Sequence, residues 1–485
     1  LALWANGFER AEEFIAMYLE QFFIDGLGCA SYLIGCEGAG VAAVIDPDRD
    51  VRKYLEIAAA KGLTISHIIE THLHADHVSG NTELQARTGA EIYAFDGAGV
   101  EFEYKSLKEG DVLSLGNVQL AVRHTPGHTP ESISLLVTDL ARSKEPWMVL
   151  TGDTLFVGDI GRPDLVGLEA ARGLANQMYD TIHEEILPLP DGVMVYPGHG
   201  AGSLCGKSIG AVRSTTIGFE RHNNPALFPR ERTDFIDFAV AELPEQPANV
   251  KRIKAMNRRG PRPLGDVKPR PITIQESIGY FQSGAALLDL RTKEAFKKLH
   301  IPGSVHLEPD DQLSNRIGFV LPPEVPIILM LPNQDEDAIV ADYTHTIYAL
   351  ARVGYDSVVG YLAESLEVWD AYGLPLTSGD VQDIDPRDLH RMLINGNGDK
   401  PIVVDVREPW EYAQGHIPGA QLISLGELGR RIQELDAQKP VAVVCATGSR
   451  SQSAAALLGR EGFGTVYNVV GGTMRWMQSG LPLEQ

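Results

Sequence analysis

Three imidazoles and a carboxylate fall within six residues at His72, His74, Asp76 and His77. Packed as a neutral core, each would need a partner for its ring nitrogens or its charge, which makes such crowding costly. One metal ion satisfies them together. A lone His-x-His is better explained as a surface pair, but the fuller H-x-H-x-D-H spacing at a strand's end points to metal binding. The apolar run Ile65 to Ile69, interrupted by Ser66 and His67, reads as that strand.

Three further strands are expected to deliver a ligand-type residue at the same end. Leu120 to His124 runs into Thr125-Pro126-Gly127-His128, Trp147 to Leu150 into Thr151-Gly152-Asp153, and Val193 to Tyr196 into Pro197-Gly198-His199. Small residues beside each one allow a sharp turn and close approach to an ion. Any one of them alone reads as a turn residue; the set in this order does not. Around them the pattern predicts a strand over Tyr18 to Ile24, a helix over Val51 to Lys61 stopped by Gly62, a helix over about Gly80 to Thr88 and a strand at Glu91 to Phe95. Such alternation indicates a layered α/β domain.

The motifs THLHADH, TPGHT, TGDTLF and YPGHG together resemble the metallo-β-lactamase superfamily. Over roughly Met17 to Ala255 the resemblance implies an αββα sandwich with metal between the sheets' ends. In its glyoxalase II branch, His72, His74, His128 and Asp153 would hold one metal, and Asp76, His77, His199 and a shared Asp153 the second. In its persulfide dioxygenase branch, His72, His128 and Asp153 hold one Fe(II) per chain, with His74, Asp76, His77 and His199 around them; zinc is the alternative or substituted metal. Two histidines and a carboxylate on one face of iron leave positions open for substrate sulfur and O2, whereas two metals generate a hydroxide for hydrolysis. The run Gly161-Arg162-Pro163-Asp164 resembles the dioxygenase pattern, which implies that Arg162 supports the pocket; a surface ion pair is the plainer alternative.

At 485 residues the chain has room for about three domains. Its net charge of -23 argues against nucleic acid or an anionic membrane as partner, and no window of about 20 apolar residues offers a span. Four cysteines (Cys29, Cys36, Cys205 and Cys445) make no disulfide framework in so long a chain, so a reducing, cytoplasmic setting is expected. Residues 1–16 lack the basic start and apolar stretch of a secretory signal, and are expected to be an expression scar or an alternative start before Met17.

Six prolines between positions 244 and 271 suggest a stiff connector with a basic stretch inside it. Beyond it the sequence repeats: Asp289-x-Arg291 and His300-Ile-Pro-Gly answer Asp405-x-Arg407 and His416-Ile-Pro-Gly, with eleven residues from Asp to His in both copies. In the second copy the strand Val441 to Val444 runs into Cys445-Ala446-Thr447-Gly448-Ser449-Arg450 and then a helix. A thiol at a helix N-terminus among small residues faces backbone N–H groups that stabilise a thiolate and a bound anion. This C-x-x-G-x-R loop, with D-x-R and H-I-P-G-A upstream, resembles the rhodanese family. That resemblance implies that Cys445 carries persulfide sulfur, cradled by Ala446, Thr447, Gly448, Ser449 and Arg450. The first copy has Leu331-Pro332-Asn333-Gln334-Asp335-Glu336 at this place and cannot carry sulfur in this way.

The expected organisation is an α/β multidomain chain. A metallo-β-lactamase-type domain spans 17–255 and a linker 256–271; a rhodanese-like domain without the cysteine spans 272–378, and a rhodanese domain with Cys445 spans 379–485. The expected function is a persulfide dioxygenase joined to a sulfurtransferase in sulfide detoxification. Its partners would be a glutathione- or coenzyme A-type persulfide, O2, sulfite and thiosulfate, and it would act as a homo-oligomer. A binuclear zinc thioester hydrolase with a sulfurtransferase is the alternative. Cys29 and Cys36 flank a core strand and are expected to pack. Cys205, six residues past His199 and beside Lys207, is expected to border the metal pocket as an accessible, partly ionised thiol that receives sulfur or limits access; a buried, inert cysteine is the alternative.

Overall fold

The computed structural model describes residues 17–484 except 204, 207, 208, 242, 244–248, 334, 379, 380 and 397–399. The expectations about residues 1–16, Pro244, Pro247 and Lys207 lie outside the described residues. Contacts divide the chain into two compact units at Gly265 and Asp266.

In the first unit, alternation along each strand decides which layer a side chain enters, because successive side chains point to opposite faces. Along Cys29–Cys36, residues Ala30, Tyr32, Ile34 and Cys36 enter the core between two sheets, while Leu33 faces outward to helices. Along Val41–Ile45 the same split sends Ala43 and Ile45 inward and Ala42 and Val44 outward. On the opposing strands Val118–His124 and Ile133–Asp139, Leu120, Val122, Leu135 and Val137 meet them across the same core.

Each sheet has six strands. One runs in chain order from Met17–Ile24 through Thr64–Ile69 to Lys105–Leu107. The other is ordered Thr215–Thr216, Met194–Pro197, Met148–Gly152, Ile133–Asp139, Val118–His124, Val112–Leu115. Helices Arg52–Ala60 and Asn81–Thr88 cover the first sheet; Leu168–Thr181, Ile217–Asn223 and Arg232–Val240 cover the second. The result is the αββα sandwich, with the loops after residues 69, 124, 152 and 197 emerging from strand ends.

The expected connector at 256–271 begins inside a helix, Val250–Arg259, whose Val250, Ile253 and Asn257 are buried. Pro261, just past its end, limits that helix without preventing it.

The second unit holds two five-stranded parallel sheets with one topology. In chain order their strands are Pro271–Ile272, Ala286–Asp289, Val305–His306, Ile327–Met330 and Val358–Leu362, then Val381–Ile384, Ile402–Asp405, Gln421–Leu422, Val441–Val444 and Val466–Val469. In each sheet the fourth of these strands pairs with the second and the fifth. The repeated motif residues prove to be struts of this fold. Asp289 braces Arg291 at 2.6 Å and Asp405 braces Arg407 at 2.7 Å; each arginine also donates 2.9 Å to a carbonyl, of Leu299 or Gly415. His300 and His416 each donate from Nδ1 to the carbonyl four residues earlier. Trp369 and Trp476 each donate to a carbonyl six residues later, closing the copy over its core. Among the described residues no helix is long and apolar enough to cross a membrane.

Candidate functional site

The loop after Thr64–Ile69 is pinned by Asp46, whose backbone sits at φ 49. Thr71 donates to Asp46 through its N–H at 2.7 Å and its hydroxyl at 2.8 Å. With its proton spent on a carboxylate, the Thr71 oxygen accepts from His72 Nδ1 at 3.0 Å, which leaves His72 Nε2 as a bare lone pair. His128 reaches the same state: its Nδ1 donates 2.9 Å to the Arg162 carbonyl. Burial holds both imidazoles below their ordinary pKa, His72 far below.

These two lone pairs converge on one oxygen. His128 Nε2 lies 3.2 Å and His72 Nε2 3.8 Å from Asp153 Oδ2. His128 Nε2 and Asp153 Oδ2 are buried and without a hydrogen-bond partner. Three electron-rich atoms with no proton among them repel one another unless a cation sits between. This donor set fits a metal ion. The close approach needs glycine at 198, where a Cβ would stand 2.6 Å from Asp153 Oδ1.

His199 is placed differently. Its Nδ1 is 2.7 Å from Asp153 Oδ1 and its Nε2 2.7 Å from Asp76 Oδ2, so both ring nitrogens are engaged by carboxylates. Burial opposes its charge, but Asp153 leads the groups that outweigh burial and raise His199 well above its usual pKa. Asp76 also accepts from Cys29 Sγ at 3.0 Å and lies 3.3 Å from His77 Nδ1. His74 turns toward two other acids, its Nε2 being 3.1 Å from Asp46 and 3.3 Å from Glu70. Neither contact is aligned as a hydrogen bond, and both His74 nitrogens are buried without a partner. A small pocket opens beside His72 and His74, lined also by Glu131, Phe95, Val100 and Phe102.

Cys205 requires a correction. Its sulfur lies within 4.8 Å of ligand atoms of both Asp153 and His199, and its carbonyl accepts from Arg162 N–H at 3.0 Å. It is nevertheless buried, and burial pushes its thiol up to about 12, against the accessible, ionised thiol expected from flanking glycines. Arg162 is equally buried and binds Asp164 through two bonds of 2.6 and 2.8 Å, so it is not a surface ion pair.

Sequence reasoning missed two residues here. Cys29, expected only to pack, bonds Asp76 because its backbone bridges to His199 across the sheets' ends. Asn257 donates to the carbonyls of His74 and His77 at 2.9 and 2.8 Å and accepts from Ser79 N–H at 2.9 Å, holding the whole histidine loop from below. An asparagine facing apolar Val250 and Ile253 on one helical stripe was the available signal.

In the second unit, Cys445 follows the central strand Val441–Val444 and is 1% exposed. The Gly448 amide donates to its sulfur at 3.1 Å, at the left-handed start of helix Ser449–Arg460. The carbonyls of Cys445 and Ala446 are drawn away by the amides of Thr473 and Met474 at 2.8 and 3.0 Å. Arg450 is held by Glu411 through two 2.7 Å bonds; Ala446 is half-buried and Thr447 exposed. In the first copy Leu331 takes the place of Cys445 after the matching strand. There, Asp335 caps the following helix by accepting from Ala338 N–H at 3.2 Å.

A family model described as the metallo-β-lactamase superfamily matches residues 24–199, and one described as a rhodanese-like domain matches 276–372 and 385–479. The chain is 37% identical over 172 residues to a hydroxyacylglutathione hydrolase of Polaromonas sp., covering 35% of this chain and 61% of that one. It is 30% identical over 217 residues to "Persulfide dioxygenase ETHE1, mitochondrial" of Mus musculus, covering 43% of this chain and 75% of that one. The chain spans about three-fifths of the length of the hydroxyacylglutathione hydrolases of Polaromonas sp. and Rhodospirillum rubrum. A solved structure described as a metallo-β-lactamase from Staphylococcus aureus subsp. aureus COL is 36% identical with a TM-score of 0.62, over 72% of this chain and 99% of that one.

Proposed function

Since the chain belongs to the metallo-β-lactamase superfamily and carries two rhodanese-like domains behind that fold, we propose that it is an iron-dependent persulfide dioxygenase joined to a sulfurtransferase. The observation that carries this reading is the division of labour among the histidines. The lone pairs of His72 and His128 and the free oxygen of Asp153 face one another, while both nitrogens of His199 are already engaged. That is a ligand set for one ion, with Asp76 and His199 fixing the far oxygen of Asp153. Iron held there would supply the site at which O2 and a persulfide's outer sulfur react.

The protein's part is orientation. Thr71 and the Arg162 carbonyl fix the tautomers, and the cavity beside His72 and His74 receives the substrate. Overall, the outer sulfur of a low-molecular-weight persulfide, O2 and water give a thiol and sulfite. At Cys445, a sulfane sulfur passes from the enzyme persulfide to sulfite, releasing thiosulfate and the free thiol, or moves in reverse. Covalent linkage of the two activities raises the effective concentration of the shared intermediate. Such an enzyme would serve sulfide detoxification in the cytoplasm.

Two unpartnered nitrogens on His74, together with the similarity to hydroxyacylglutathione hydrolases, favour a second reading: a binuclear zinc thioester hydrolase. Oxygen uptake with a panel of glutathione and coenzyme A persulfides, alongside metal analysis, separates the two. His72→Ala, His128→Ala and Asp153→Ala are expected to lose iron and persulfide-dependent oxygen uptake together, while His74→Ala and His199→Ala keep part of their iron. Equal metal loss in all five variants, with two zincs in the wild type, supports the hydrolase instead.

A further inference from the structure

The cysteine-less copy reaches toward Cys445 through a file of hydrogen bonds. Lys293 and Lys297, one turn apart on its helix Lys293–Lys298, bind Asp383 of the second copy at 2.5 and 3.1 Å. Asp383 lies on the strand Val381–Ile384 and takes the Asn468 Nδ2 amide at 3.0 Å. Asn468 Oδ1 takes the Ser451 hydroxyl at 2.7 Å, and Ser451 Oγ is 3.5 Å from Cys445 Sγ. Asn468, Ser451 and Cys445 are all buried.

The directions along this file are forced. A carboxylate only accepts, so Asp383 fixes the Asn468 amide with its NH2 outward and its oxygen toward Ser451. The Ser451 hydroxyl has one proton. Its acceptors are Asn468 Oδ1 and the Gly448 carbonyl at 3.1 Å, both directed away from the sulfur. A lone pair of Ser451 therefore faces Cys445. An S–H fits that lone pair as its donor, whereas a thiolate meets it with repulsion.

We propose that Lys293 and Lys297 restrain the reactivity of Cys445, holding Asp383 against Asn468 so that Ser451 cannot donate to the sulfur. The restraint deepens the reading of Cys445 as a sulfur carrier and rests on it. It gives the copy without a cysteine a role in sulfur transfer, as a positioning element acting through three side chains. Were Asn468 free to turn its amide, Ser451 would lose its 2.7 Å acceptor, keep only the longer contact to the Gly448 carbonyl, and could give its proton to the sulfur instead, favouring the attacking thiolate.

The test uses the full-length chain and follows iodoacetamide alkylation of Cys445 by peptide mass. Asp383→Leu removes the acceptor while keeping the side-chain volume and is expected to speed alkylation roughly fivefold, the factor of one hydrogen bond of ordinary net strength. The pair Lys293→Met with Lys297→Met is expected to do the same, and Lys293→Arg with Lys297→Arg to keep the wild-type rate. In a Ser451→Ala background, Asp383→Leu is expected to have no further effect. Loosened packing would accelerate alkylation whether or not Ser451 is present, so acceleration that survives Ser451→Ala overturns the proposal. Unchanged or slower alkylation in Asp383→Leu does so too. Thiosulfate-to-cyanide transfer by the wild type, compared with Cys445→Ser, judges the carrier reading separately.

Discussion

The bond from His128 Nδ1 to a backbone carbonyl decides what the other face of that ring can do, and Thr71 does the same for His72 through a hydroxyl already committed to Asp46. Removing such a support leaves the ligand in place but lets its tautomer and orientation drift. Thr71→Val is therefore expected to weaken metal retention roughly 10- to 100-fold against a competing chelator, and Thr71→Ser to preserve it. At the proposed sulfur-transfer site a single atom would carry the chemistry. Cys445→Ser is expected to abolish thiosulfate-to-cyanide transfer with metal content unchanged, because a hydroxyl facing the Gly448 amide lacks a thiolate's nucleophilicity. Cys205 is expected to resist alkylation in the native chain, since burial holds its thiol near 12.

At the scale of elements, the loop around Cys445 depends on a turn from elsewhere in the chain. Gly471 and Gly472 sit at φ 71 and 59 and start the helix whose amides take the Cys445 and Ala446 carbonyls. A Cβ at 472 would overlap the Cys445 carbonyl oxygen and stand 2.6 Å from the Ala446 carbonyl. Gly472→Ala is expected to cost roughly 1–3 kcal/mol and to depress sulfur transfer, read by denaturant unfolding and the cyanide assay. The strand-then-loop order that presents His72, His128, Asp153 and His199 was legible in the sequence, because apolar runs ending in small residues carry a local signal. So was the repeat, whose struts recur at fixed spacing. What stayed hidden depends on contacts between distant elements. Cys29 reaches Asp76 through pairing with residue 199, and Asn257 reaches the histidine loop from a stretch whose prolines read as connector. Asn257→Leu, which leaves the His74 and His77 carbonyls without their donor, is expected to lower the stability of the first unit by roughly 1–3 kcal/mol and to loosen its metal.

For the whole molecule, the division at Gly265 leaves the histidine cluster in one unit and Cys445 in the other. Stripping metal with a chelator is expected to lower the unfolding temperature of the first unit and end oxygen uptake while cyanide-dependent transfer continues; loss of both together would show that the activities are not separable. The duplicated unit carries one more consequence. The Asp335 carboxylate caps the helix start at which the second copy has the glycine turn of Gly448 and the Cys445 sulfur. One copy thus has its anionic acceptor built into the covalent sequence, whereas on the proposed carrier reading the group facing the amides in the other would change from thiolate to persulfide as sulfur is loaded. A group that gains contacts in the native state adds to its stability, so on that proposed reading sulfur loading would make the second copy an indicator of its own occupancy. Hydrogen exchange at the amides of residues 448–452 should slow as sulfur is charged onto Cys445, and those of residues 336–339 should keep a constant rate, an internal clock within the same chain.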